Sequence, residues 1–350
     1  MYRYVRWLTL SLTVLTLVPA TMTFAQAPSG LESVWAGKTM TLITCLGPGT
    51  AGDILARLIA RHMPRFLPGR PNMIVVNIVG AGGRVATNQI YLETRGDGLT
   101  IFGCSRAVPT FQLQGDPGVR YDVSKIPWLG SVGPEPTVLV VHKRAGITRA
   151  DQLKTREFKI PMATPGSSPH LPLVILRKVL GWQLKPVFGF ESSTEIVLAV
   201  DRGDTDTMMF TWATMLTLRR AELEAKTLIP LVVIGRAGND LLLARVPTAR
   251  QLFAAKNQAD LDLLTLAERP NDIGWPFGAP PGTRPDILRA LRKAFMDTME
   301  DSLFIAAAKS ININVAPISG EELLGMMTQY INTPKVTRDE LTRLIQSDVP

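Results

Sequence analysis

One stretch restricts the fold more than any other. Thr39-Met40-Thr41-Leu42-Ile43-Thr44-Cys45-Leu46 runs into Gly47-Pro48-Gly49-Thr50-Ala51-Gly52-Asp53 and then Ile54-Leu55-Ala56-Arg57-Leu58-Ile59-Ala60-Arg61. These read in turn as a buried strand, a glycine-rich turn and an amphipathic helix. The helix follows from period: Ile54, Leu55, Leu58, Ile59, Met63 and Phe66 share one face, and Arg57, Arg61 and Arg65 take the other. Gly47, Gly49 and Gly52 let the backbone turn sharply and approach a ligand without a Cβ in the way. A helix start presents unpaired N–H groups and the positive end of its dipole. The turn is therefore expected to hold a small anion, with Gly49, Thr50, Ala51, Gly52 and Asp53 as candidate contacts.

The glycine spacing also satisfies G-x-G-x-x-G. A dinucleotide site would need an acidic residue roughly 20 positions on, at the end of the next strand, to hold the ribose. The next strand, 73–78, carries Asn77 and no nearby Asp or Glu. The nucleotide reading is the weaker one.

The first 25 residues read as an export signal. Arg3 and Arg6 precede an apolar run from Leu8 to Val18, and Thr23-Phe24-Ala25 makes a small-x-small cleavage site. The run is shorter than the about 20 residues a membrane span needs. The remaining chain exceeds what one core usually holds, so two lobes are expected. A net charge of +8, reduced by two without Arg3 and Arg6, favours anions mildly. The basic residues are dispersed and few aromatics interleave with them, which gives no support to a nucleic-acid groove. Cys45 and Cys104 are the only cysteines. They are read as buried free thiols in preference to a disulfide, because both sit near ends of expected parallel strands, where bridging geometry is demanding.

Strand and helix patterns then alternate. Strand 73–78, the Gly80-Ala81-Gly82-Gly83 turn, helix 84–93 and strand 99–103 complete a β-turn-α series, implying a parallel sheet covered on both faces. Two glycine turns at one end of adjacent parallel strands mark the edge where such sheets bind ligands, which adds Ala81 and Gly82 to the candidates. Loops at 116–118 and 130–136 lead to a second α/β series: strands 138–141, 158–162, 183–188, 205–210 and 228–234, with helices 170–180, 194–202 and 213–224. Ser192 and Glu195 form a capping box. The last third reads as helices 285–299, 319–330 and 336–345, expected to pack back on the first sheet.

Catalytic patterns are weak. Ser167, Ser168 and His170 lie too close along one helix start to act as nucleophile and base, and no G-x-S-x-G occurs. The three histidines are scattered, without H-E-x-x-H or C-x-x-C spacing. No phosphate-binding G-x-x-x-x-G-K-[ST] loop is present. The reading is of a binding protein with no enzyme activity, no cofactor and no metal.

Several elements together resemble the exported solute receptors of tripartite tricarboxylate transporters, the Bug-type receptors. They are the strand and turn ending in Asp53 with Ala56-Arg57, then Val76-Asn77-Ile78-Val79-Gly80-Ala81-Gly82-Gly83, and Gly96-Asp97-Gly98. Gly166-Ser167-Ser168-Pro169-His170-Leu171, Leu198-Ala199-Val200-Asp201-Arg202-Gly203-Asp204, Val246-Pro247-Thr248 and Ala279-Pro280-Pro281-Gly282 complete the series. The resemblance implies an α/β, two-lobe Venus-flytrap periplasmic binding protein, type II-like, crossed twice by the chain. Lobe one is then expected at 36–135 and 236–350, and lobe two at 136–235. It further implies a periplasmic monomer that holds a small carboxylate through loop N–H groups, hydroxyls and waters, and delivers it to the membrane subunits of the transporter. Carried across, the contacts would be Gly49, Thr50, Ala51, Gly52, Asp53, Ala81, Gly82 and Ser105 from lobe one. Ser167, Ser168, Ser192 and Ser193 would serve from lobe two.

The chain departs from that pattern. Thr50 stands where a second glycine is usual, Gly52 where a small hydroxyl residue is usual, and Met162-Ala163-Thr164 replaces a Ser-Ser-Gly-like run. Glu191, where glycine is common, would repel an anion if it faced the cleft. Arg106 is read as a solvated rim residue in preference to a ligand contact. The competing functions are a solute sensor and, more remotely, an enzyme using the 47–52 turn for a nucleotide.

Overall fold

A computed structural model describes residues 30–163, 165, 169–190, 192–236, 240–253 and 257–348. Its strands are β1 (Thr39–Thr44), β2 (Asn72–Asn77), β3 (Thr100–Gly103), β4 (Trp128–Ser131), β5 (Thr137–His142), β6 (Phe158–Pro161), β7 (Leu184–Val187), β8 (Thr207–Thr211), β9 (Leu228–Ile234), β10 (Pro276–Gly278) and β11 (Ile318–Ser319). A six-stranded sheet in the order β11-β4-β10-β3-β1-β2 forms one lobe. The other lobe holds a three-stranded sheet, β8-β5-β9, and the pair β6-β7.

The first sheet grows from the β-turn-α series. β1 pairs in parallel with both β2 and β3. The helix Ala51–His62 lays Leu55, Leu58 and Ile59 against Met40 and Leu42 on one face. On the other face the helix Arg84–Glu93 packs Ala86 and Ile90 against Ile43 and Phe102. Full burial of each large apolar side chain stabilises the lobe by about 1.5–3 kcal/mol. The parallel pairing of β1, β2 and β3 and their cover on both faces are as expected, but the full sheet is mixed. β10 runs antiparallel to β3 and β4, and β11 antiparallel to β4, because the chain returns to this sheet after building the second lobe. β2 is an edge strand, and Ile74 and Val76 remain 52% and 38% exposed.

The second lobe is α/β, but its main sheet is antiparallel: β5 runs against both β8 and β9. β6 and β7 pair in parallel, and the Asp206 N–H donates to the Lys159 carbonyl at 3.2 Å, tying that pair to the start of β8.

The return to the first lobe does not occur at 236. Leu243 joins the apolar cluster around Val138, Val233 and Trp212, while Ala249 and Leu264 join the one around Leu139 and Phe158. The helix Gln258–Ile273 sets Leu263, Leu266 and Ala267 against Leu171, Val174 and Ile175 of the helix His170–Leu180. Only at β10 does the chain re-enter the first sheet. The helices Pro285–Glu300, Ser302–Ser310 and Gly320–Ile331 then bury Phe295, Phe304 and Leu323 there. The last helix, Lys335–Gln346, crosses a third time. It packs Leu341 beside Leu171, and Glu340 and Asp348 pair with Lys178 and Arg177 of the second lobe.

The two main passages between lobes lie side by side. Glu135 donates its N–H to the Asn271 carbonyl at 2.8 Å, Val132 to the Trp275 carbonyl at 3.1 Å, and Ser131 Oγ to the Ile273 carbonyl at 2.7 Å. Gly274 sits at φ 63°, ψ −110°, and a Cβ there would fall 1.8 Å from the Gly133 carbonyl oxygen. Only glycine fits this approach.

Candidate ligand cleft

A cleft of about 260 Å3 opens between the lobes, walled by Leu46, Thr50, Ala51, Gly52, Cys104, Ser105, Arg106, Glu135 and Trp275 on one side. Thr137, Pro169, Ser193, Met209, Phe210, Thr211 and Thr214 wall the other. The helices Ala51–His62, His170–Leu180, Ser193–Arg202 and Trp212–Glu224 all begin at this cleft. Their first-turn N–H groups and dipoles make it favourable to negative charge.

The 47–53 turn is locked by its own side chains. Thr50 caps the helix, accepting the Asp53 N–H at 3.3 Å and donating its hydroxyl to the Gly47 carbonyl at 2.8 Å. The buried Asp53 carboxylate accepts the Gly49 N–H at 2.9 Å, Arg57 Nε at 3.1 Å and Asn77 Nδ2 at 2.8 Å. Burial raises this carboxyl's pKa, but the Arg57, Asn77 and Gly49 bonds outweigh it and hold the group below its ordinary value. Asn77, which replaces the acid of a dinucleotide site, also donates to the Leu46 carbonyl at 2.8 Å. At Gly52 a Cβ would meet Leu46 Cδ1 at 2.0 Å and Trp275 at 2.9 Å, so its lack of a side chain keeps this wall closed.

The expected contacts therefore divide. Thr50, Ala51, Gly52, Ser105 and Ser193 come together around the cleft. Gly49 and Asp53 lie behind it as the brace of the turn. Ser192 also stays outside the lining, spending its hydroxyl on the Glu195 N–H at 3.2 Å. Ala81 and Gly82 do not reach the cleft. Their turn follows the edge strand β2 and folds onto Phe111, with the Arg84 guanidinium 4.7 Å from that ring. Ser167, Ser168 and Glu191 fall outside the described residues. His170 is buried, with Nε2 3.3 Å from Asp348 Oδ2.

Arg106 corrects the rim expectation. It is only 9% exposed, and its Nη1 and Nη2 donate to the Glu135 carbonyl at 2.5 Å and Thr137 Oγ1 at 2.9 Å. Burial lowers its pKa to about 10, with Glu135 opposing the shift, so it stays cationic at neutral pH. Glu135 is buried too. Its Oε1 accepts the Ala213 N–H at 2.8 Å, at the start of the helix Trp212–Glu224. Burial is the larger effect and leaves this carboxyl's pKa above its ordinary value, although the Ala213 bond and Arg106 pull it down. The Trp275 indole N–H is buried without a well-aligned acceptor among the described residues, yet it lies close enough to Glu135 to favour the carboxylate. Sequence reasoning missed Glu135, Thr137, Thr211, Thr214 and Trp275. The one available signal was Gly133-Pro134-Glu135-Pro136, an acid between prolines at a lobe crossing.

Cys45 and Cys104 are buried free thiols. The Ser105 N–H donates to Cys45 Sγ at 3.0 Å, and burial pushes the Cys45 pKa up to about 12. Among the described residues no cluster of His, Cys, Asp and Glu is arranged to hold a metal ion.

No protein-family model and no curated protein sequence matches the chain. Solved structures do. A TctC solute binding protein from Polaromonas shares 19% identity over 89% of this chain and 99% of its own, with TM-score 0.64. The periplasmic binding protein BugD shares 17% over 90% and 98%, with TM-score 0.65. The fold is that of the TctC and Bug periplasmic solute-binding proteins. A third such structure, an R. palustris protein with adipate, shares 18% over 89% and 98%, with TM-score 0.67. At these identities the TctC/Bug likeness speaks for the two-lobe fold, and the chemistry of the cleft has to be argued from its own residues.

Proposed function

We propose that this chain is an extracytoplasmic receptor that binds a small carboxylate-bearing solute between its lobes. The observation that carries the reading is the convergence of four helix starts and the Arg106 guanidinium on one inter-lobe cleft. Ala51 and Gly52 supply first-turn N–H groups from one lobe, and Ser193 and Thr214 supply hydroxyls from the other, Thr211 donating its own to Thr214 at 2.9 Å. Charge-assisted bonds to a carboxylate are the stronger ones, and closure of the lobes shields them from water. The cleft volume of about 260 Å3 lies below the ~300–1,000 Å3 of drug-sized pockets, which suits a small metabolite.

In this reading the first 25 residues direct the chain to the periplasm, where it acts as a monomer and hands its solute to the membrane subunits of a tripartite tricarboxylate-type transporter. Calorimetric titration with mono-, di- and tricarboxylates beside NAD and ATP tests it. Binding of a carboxylate in the micromolar range or tighter is expected. Binding of nucleotides alone would overturn the reading, and failure to co-purify with transporter membrane subunits would remove the delivery role.

A further inference from the structure

Among the described residues the cleft is lined by one acid, and that acid already occupies an anion position. Glu135 Oε1 takes the Ala213 N–H at 2.8 Å, where a second carboxylate of a ligand would otherwise find a helix start. The buried positive charge that remains is Arg106. Its Nη1 and Nη2 each spend one N–H on the lobe crossing, and its Nε has no hydrogen-bond partner among the described residues. Of the five donors of a guanidinium, Nε–H and one on each Nη are left for a ligand. The rest of the wall around them is largely apolar, formed by Leu46, Met209, Phe210 and Trp275. Resting on the receptor reading above, we infer that the cleft selects a monocarboxylate with an apolar body, its carboxylate held by Arg106, and that Glu135 excludes a second carboxylate.

The physical basis is like-charge repulsion in a poorly solvated site. While Glu135 is ionised, two carboxylates about 5 Å apart at an effective dielectric near 20 disfavour each other enough to change affinity by about tenfold or more. Burial raises the Glu135 pKa, so the effect grows with pH. An apolar tail meets no such opposition and removes surface from water as the lobes close.

The test uses the chain from residue 26 onward and matched straight-chain pairs from four to eight carbons, including hexanoate against adipate, by calorimetry and thermal shift. The monocarboxylate of the best pair is expected to bind at least about tenfold more tightly than its dicarboxylate. Glu135→Gln keeps an oxygen for the Ala213 N–H, and should narrow the gap to within about threefold by strengthening the dicarboxylate. Arg106→Gln should weaken the monocarboxylate at least about tenfold. A native protein whose best ligand is a dicarboxylate would overturn the Glu135 assignment and leave the receptor reading standing. If no carboxylate of the panel binds, this inference falls, and the receptor reading is decided by the wider titration with tricarboxylates and nucleotides. Should Glu135→Gln fail to fold, the order of affinities in the native protein still decides.

Discussion

Replacing Asp53 with Ala removes the acceptor that holds the 47–53 turn in shape, and the structure allows the loss to be estimated. Three donors reach this carboxylate: Gly49 N–H at 2.9 Å, Arg57 Nε at 3.1 Å and Asn77 Nδ2 at 2.8 Å. Arg57 is about half exposed (48%) and regains water at little cost, so its ion pair adds little. Hydrogen bonds to a charged acceptor contribute about 1.5–3 kcal/mol each. Gly49 is exposed and recovers part of its bond from water, and Asn77 keeps its bond to the Leu46 carbonyl. The expected loss is therefore about 2–4 kcal/mol. For a chain of this size that lowers Tm by roughly 3–6 °C, read by circular dichroism. Because Asp53 is held below its ordinary pKa near 3.8, its contribution is present above that pH and disappears as pH falls through the folded value. The native protein should thus lose an increment of stability in acid that Asp53→Ala lacks from the start. Carboxylate affinity should fall as well, since the Ala51 and Gly52 N–H groups lose their fixed direction. A Tm within about 2 °C of native, with unchanged acid sensitivity, would show that the backbone turn holds itself and would refute the brace.

Gly274→Ala should be among the most damaging substitutions in the chain, costing about 3–5 kcal/mol, because the new Cβ meets the Gly133 carbonyl at a positive φ. A melt close to native would mean the two crossings can separate at no cost. At the C-terminus, bonds from Arg343 and Lys178 lower the Glu340 carboxyl to about 2. Its stabilisation is complete above the ordinary carboxyl range and drains away as pH falls towards 2, so Lys178→Met should flatten the acid limb of a stability–pH curve. Parallel curves for the two proteins would show that the last helix is held by its apolar contacts alone.

Much of the fold was legible locally. The helices 84–93 and 170–180 and the strand 228–234 occupy the expected residues, because each carries a clear period or a hard stop such as Gly181. The helix Gln258–Ile273 was missed because Pro270 and a run of charges break its pattern, and its apolar residues make sense only against Leu171 and Val174. β10 and β11, three and two residues long, exist only because β4 offers them partners. The site divides in the same way. Thr50 to Gly52 announced themselves through glycine spacing and a capping hydroxyl. Glu135 and Trp275 carry no local signature, and Arg106 looked like any charged residue past a strand end.

What the sequence alone determined is the repeating strand-turn-helix chemistry, since hydrophobic period, caps and glycine turns are properties of a dozen neighbouring residues. Only the tertiary structure decided how the charges are disposed. Arg106 and Glu135 stand 29 positions apart and meet Ala213, a further 78 along, because two lobes and their paired crossings bring them into one dry cleft. Burial of that kind arises from the whole fold, which is why a guanidinium and a carboxylate of ordinary appearance become buried charges lining one cleft.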